Sequence, residues 1–81
     1  MTEADLNLLK SQIDQVVVLE TVDGERLLVQ PLFVFDEGET PDVFCREMEH
    51  DPASAGRYKE KGSPGLSILL ADILTAKLPA G

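Results

Sequence analysis

Val16-Val17-Val18-Leu19-Glu20-Thr21-Val22-Asp23-Gly24-Glu25-Arg26-Leu27-Leu28-Val29-Gln30-Pro31-Leu32-Phe33-Val34-Phe35 is the stretch that decides the fold. Two runs rich in β-branched, aliphatic and aromatic residues flank the pair Asp23-Gly24. A type I′ hairpin turn needs positive φ at both central residues, and Asp-Gly supplies it at low cost. The reading is therefore an antiparallel hairpin, with strands at 16–21 and 26–35. The second strand is apolar on both faces, with Leu27, Val29 and Phe33 on one and Leu28, Leu32 and Val34 on the other. Such a strand is buried on both sides or bends so that its halves face different layers. Pro31 removes one ladder donor and implies a bulge, a bend or an edge position.

Upstream, Thr2 to Asp14 reads as an amphipathic helix. Leu6, Leu9 and Ile13 recur at helical spacing, with Leu8 beside them, and Thr2 with Asp5 forms a capping-box-like pair. Downstream, Asp36-Glu37-Gly38-Glu39-Thr40-Pro41 is a polar turn, and Asp42 to Glu49 alternates as a third strand. Residues 50–65 carry Asp-Pro, Ala-Ser-Ala-Gly and Gly-Ser-Pro-Gly and read as a long loop. Leu66 to Leu78 reads as a final strand pair around Ala71-Asp72-Ile73. A helix of about three turns is the competing reading. No internal repeat is visible.

The chain has 81 residues, 43% of them hydrophobic, and a net charge of −8 from fifteen acidic and seven basic residues. That length predicts one small domain, and that apolar fraction predicts a folded one. No run approaches the ~18 apolar residues of a membrane span. The acidic start lacks the basic and apolar regions of a secretory leader. The expectation is a soluble cytoplasmic protein. The charge disfavours phosphate backbones and favours a basic protein surface as partner. The same charge would also serve simply to keep a small domain soluble.

A short helix followed by five strands, the second long and bent, resembles an Sm-like or SH3-like small barrel. The residues that carry the resemblance are the hairpin Val18-Leu19-Glu20-Thr21-Val22-Asp23-Gly24-Glu25-Arg26-Leu27-Leu28-Val29 and the end Ser67-Ile68-Leu69-Leu70-Ala71-Asp72-Ile73-Leu74-Thr75-Ala76-Lys77-Leu78. Such barrels often place a one-turn helix before a buried aliphatic in the last strand pair, which Ala71-Asp72-Ile73 would match. The fold class implied is mainly β with one N-terminal helix, closed as a five-stranded small barrel. Sm proteins carry a glycine in the second strand, an Asp-x-x-Met-Asn tract and an Arg-Gly or Lys-Gly pair. Here Gln30-Pro31, Asp42-Val43-Phe44-Cys45 and Leu70-Ala71-Asp72 stand in those places, so no RNA-binding residue is carried over. Acidic Sm-like barrels that bind proteins are known.

Catalytic chemistry has little to build on. Cys45 is the only cysteine, which rules out an intramolecular disulfide, and it reads as a small buried strand residue rather than a reactive thiol. Ser54, Ser63 and Ser67 have no base at a recognisable spacing. Glu47, Glu49, His50 and Asp51 could hold a divalent metal, but nothing completes a coordination shell, and a solvated acidic rim is the preferred reading. Neither a cofactor nor a reaction is expected. Arg57, Tyr58, Lys59 and Lys61 could meet an anion or nucleic acid; folding back onto the chain's own acids is preferred.

The expected function is a protein–protein interaction or regulatory module. It would dock a strand edge or the acidic rim between the second and third strands, using Phe35, Asp36, Glu37, Glu39, Asp42 and Phe44. Phe33 joins Phe35 and Phe44 as an anchor if exposed; the competing placement of these rings, strongest for Phe33, is the core. Homo-oligomers through open strand edges are a further expectation. The alternative function is an Sm-like nucleic-acid binder acting as an oligomer.

Overall fold

A computed structural model describes residues 1–53, 56–62 and 64–79. Ser54 and Ser63 lie outside the described residues. Helix α1 (Glu3–Ser11) is followed by β1 (Val17–Thr21), β2 (Arg26–Phe35), β3 (Asp42–His50), β4 (Tyr58–Glu60), β5 (Leu66–Leu69), a one-turn 3₁₀ helix (Leu70–Asp72) and β6 (Ile73–Lys77). The fold is mainly β with one N-terminal helix. All strand pairings are antiparallel, in the order β4-β3-β2-β1-β6, with β5 also on β3.

Helix α1 is shorter than the 2–14 expected. Thr2 is its N-cap, and the capping box is complete: Thr2 Oγ1 accepts from the Asp5 amide while the Asp5 carboxylate accepts from the Thr2 amide. The helix stops at Ser11 because Asp14 takes a left-handed φ of 66° and its amide donates to the Pro31 carbonyl at 2.8 Å. The chain is thereby handed directly to the sheet.

The first hairpin forms, but its turn sits one residue earlier than Asp-Gly implies. The Gly24 amide donates to the Thr21 carbonyl at 3.0 Å, so Val22 and Asp23 are the central residues. Only Gly24 has positive φ, at +86°. This is a turn followed by a left-handed glycine, not a type I′ pair. Two bonds fix it: the Thr21 hydroxyl accepts from the Glu25 amide, and the Val22 amide donates to the distant Asp72 carbonyl at 2.9 Å.

Pro31 produces a bulge. Pro31 pairs with Cys45 and Phe33 with Phe44, which leaves Leu32 as the extra residue. The bulge reverses which residues face inward. Before it Val29 and Pro31 are buried; beyond it Val34 packs on the core and Phe33 and Phe35 face out. The expected grouping of Phe33 with Leu27 and Val29 is therefore overturned.

Two further expectations are corrected. The 50–65 stretch is not wholly loop, since Tyr58–Glu60 pairs with Met48–His50 as β4. The 66–78 segment is the strand pair expected there, folded around a 3₁₀ turn, and not the competing helix. The second expectation overturned is closure. The sheet has six strands, not five, and does not close into a barrel. β4 and β5 follow one another along the same edge of β3. The carbonyls of Pro41 and Glu47, an even number of residues apart and so on one edge, accept from Leu70 and Lys61. β6 lies at the opposite end, on β1, and among the described residues no ladder joins it to β5. Helix α1 covers that end instead: it packs on β6, and Asp5 Oδ1 accepts from the Ala76 amide at 3.2 Å. This occupies one donor of an otherwise open edge.

The core gathers Leu9, Val17, Leu19, Val29, Val43, Cys45, Ile68, Leu70, Ile73 and Ala76 from α1, five of the strands and the 3₁₀ turn. Among the described residues no helix is long and apolar enough to cross a membrane.

Candidate functional site

The same bulge that seals the core sets the opposite face. In an antiparallel sheet, directly paired residues project from one face. Phe35, Asp42 and Leu69 form one cross-strand row, and Phe33, Phe44 and Ser67 form the next. Both rows point away from the core. Phe33 is 52% exposed, Phe35 56%, Phe44 40% and Leu69 43%. The Phe33 and Phe35 rings are in direct contact, their centroids 4.3 Å apart and tilted by 38°. Four large apolar side chains thus stand together on one solvent-facing patch. A monomeric surface of this size seldom leaves such a group uncovered without use.

Phe44 is the least free of the three rings. It lies against Gly65, where an added Cβ would run into the ring tip. A glycine is needed there for space, not for backbone conformation.

Acidic residues border the patch on one side. Glu37 and Glu39 are exposed in the turn from β2 to β3, and Asp42 sits half-buried in the patch's own outer row. Asp36 is placed differently. It is ion-paired with Lys10 of α1, and that bond holds its carboxyl below the usual carboxylate value. Of the six residues expected to bind a partner, Phe35, Phe44, Asp42, Glu37 and Glu39 border or form the patch. Asp36 ties the turn to the helix instead. Phe33 and Leu69 complete the surface. Leu69 was legible only in part: polar Ser67 marks the outward face of β5, and Leu69 shares it.

On the far side of the patch, Gln30 and Arg46 form the next row, with Arg46 ion-paired to Glu60. Beyond them lies a groove of about 500 Å³, lined chiefly by Val18, Leu28, Met48, Arg26, His50, Tyr58 and Pro79. The acids there are engaged. Glu49 pairs with Lys59 at 3.6 Å and Glu47 with Lys61 at 3.5 Å, while the Asp51 carboxylate accepts from the Ala53 amide. His50 rests against the Tyr58 ring, centroids 5.0 Å apart. The cations of 57–61 thus fold back, through Lys59 and Lys61, onto the chain's own acids. Among the described residues no three His, Cys, Asp or Glu side chains gather as a metal site.

Cys45 is fully buried beneath the patch strand, its Sγ 3.7 Å from the Leu66 carbonyl. Burial, reinforced by the nearby Glu47 charge, pushes its thiol up to about 11. At neutral pH it is a thiol in the core, not a nucleophile.

Comparison of the chain with protein-family models, with curated proteins and with solved structures found no match in any of the three.

Proposed function

We propose that this protein is a non-catalytic interaction module that docks a protein partner through the face formed by Phe33, Phe35, Phe44 and Leu69. The observation that carries the reading is the grouping of these four exposed apolar side chains on one sheet face. Interface cores are enriched in aromatic anchors, and such anchors carry a disproportionate share of binding energy. Glu37, Glu39 and Asp42 at the border favour a partner with a basic rim, and the net charge of −8 steers such a partner in. The long bulged second strand and the 3₁₀ turn between the last strands support a kinship with Sm-like or SH3-like small barrels at the level of element order. The pairing of Lys59, Lys61 and Arg46 with neighbouring acids argues against the nucleic-acid alternative, because these cations are already neutralised.

The test is affinity capture of the tagged protein from lysate of its own source, with and without nuclease, read by mass spectrometry. Partners that survive nuclease and disappear with Phe33→Ser/Phe44→Ser or with Glu37→Lys/Glu39→Lys are the expected result. Partners lost on nuclease treatment, or retained by the patch variants, would overturn it.

A further inference from the structure

We infer that the element seated on this face is an amphipathic helix of the partner, with an aliphatic stripe on the rings and its lysines or arginines gathered at the end over Glu37, Glu39 and Asp42. The inference rests on the docking reading and adds what docks.

The backbone decides between a strand and a helix. An extended segment docks by adding hydrogen bonds to a free sheet edge. The patch lies on a sheet face. Its central strand β3 is paired on both sides across 42–45, by β2 and by β5. Among the described residues no ladder covers the outer edge of β5 or that of β2 beyond Val29, but a strand added at either would lie beside the rings and not over them. Over β3 itself the face offers side chains only. A segment laid upon it must satisfy its own amides and carbonyls, because leaving them unpaired against apolar rings is costly. A helix does so internally.

The dimensions agree. Three strands about 4.8 Å apart give a patch roughly 10 Å across, and its two rows lie about 7 Å apart along the strands. A helix is ~10 Å wide, and residues i and i+4 on its stripe rise by ~6 Å. Its side chains can therefore seat between Phe33 and Phe44 in one row and Phe35 and Leu69 in the next.

Charge sets the direction. Glu37, Glu39 and Asp42 lie at the turn side of the patch, whereas at the other side Arg46 is offset by its ion pair with Glu60. A helix with cations at one end meets net attraction at the turn and none at the Arg46–Glu60 pair, which favours one way round. A second copy of this chain is disfavoured by the net charge of −8 that each copy carries.

The experiment uses the whole protein and two synthetic peptides of about 18 residues, long enough to form a helix on contact. Both have the same leucine and lysine content. One places leucines at i, i+3, i+4 and i+7 with lysines at one end; the other scatters them. Binding is read by fluorescence anisotropy and by amide shift changes. The patterned peptide is expected to bind at least about tenfold more tightly than the scattered one, and Phe33→Ser/Phe44→Ser removes that difference. Glu37→Gln/Glu39→Gln is expected to weaken it several-fold and flatten its salt dependence. Shift changes are expected at 33, 35, 44 and 69. Equal binding of the two peptides, shifts confined to the Val18–Leu28–Met48 groove, or a self-association abolished by Phe44→Ser would each overturn the inference. If lysate partners still depend on the patch while the patterned peptide fails, docking stands and the helical occupant falls. If lysate partners ignore the patch, the docking reading itself falls.

Discussion

Gly65→Ala isolates the support that holds Phe44 in place, and its effect can be worked from the geometry. The Gly65 backbone is not among the positive-φ glycines, so alanine meets no left-handed penalty there. Removing glycine's freedom from the unfolded chain then stabilises by about 0.4–1 kcal/mol. Against this, the new Cβ meets Cζ and both Cε atoms of the Phe44 ring, which must swing away. The ring is 40% exposed and has room to move, at a rotamer cost of about 0.5–1.5 kcal/mol. The two effects nearly cancel, and the single variant should lie within about 1 kcal/mol of the parent. Once Phe44→Ala removes the ring, only the stabilising effect remains. The double-mutant cycle should therefore show a coupling of about 0.5–1.5 kcal/mol between these sites, read from urea unfolding of the four proteins. Gly65→Ala alone should also weaken partner capture, because it moves an anchor without unfolding the chain. Additivity within about 0.3 kcal/mol would refute the claim that glycine is there to seat the ring.

Leu9→Ala should cost about 2–5 kcal/mol in chemical denaturation, since Leu9 is the one fully buried side chain by which α1 enters the core; a loss under about 1 kcal/mol would mean the helix is not docked. Gly24→Ala should cost about 1–2 kcal/mol and lower the melting temperature, because φ at that position is +86°, whereas Asp23→Ala should cost less, since Asp23 does not take positive φ. Cys45 should resist a thiol reagent in the native protein at neutral pH and react on unfolding, its thiol being buried and raised to about 11; rapid native labelling would contradict the packing. Asp5 is held below its usual value of 3.8 by bonds from the Thr2 hydroxyl, the Thr2 amide and the Ala76 amide. A depressed folded value means that its stabilisation is present above 3.8 and is lost as pH falls through the lower folded value. The urea midpoint of the parent should therefore decline on acidification more steeply than that of Asp5→Asn, and parallel curves would count against these bonds to the Asp5 carboxylate, those from Thr2 first.

Local signals read well from the sequence wherever a local rule governs. The capping box of Thr2 and Asp5, the limits of β2 at Arg26 and Phe35, and the burial of Cys45 all follow from spacing and residue type alone. β4 escaped notice because three residues of Tyr-Lys-Glu carry no apolar period; cross-strand ion pairs accompany it, Lys59 with Glu49 and Lys61 with Glu47, and these partners are distant in sequence. The turn at Asp23-Gly24 slipped by one residue for a similar reason. The bond from Val22 to Asp72 spans the chain, and no reading of the hairpin by itself contains it.

The site depends on an event of the same kind. Pro31 announces a bulge, yet proline does not say which neighbour becomes the extra residue. Pairing with Cys45 and Phe44 decides that it is Leu32. Were the strand regular, Phe33 would follow Val29 and Pro31 into the core, and Val34 would face solvent. One inserted residue therefore exchanges a valine for a phenylalanine on the outer face and sets Phe33 beside Phe44. It also places Phe35 in the row of Asp42 and Leu69, next to the acidic turn. The aromatic face is thus a consequence of register rather than of composition. This is why the three phenylalanines could be named as anchors from the sequence, while their grouping into one surface required the sheet.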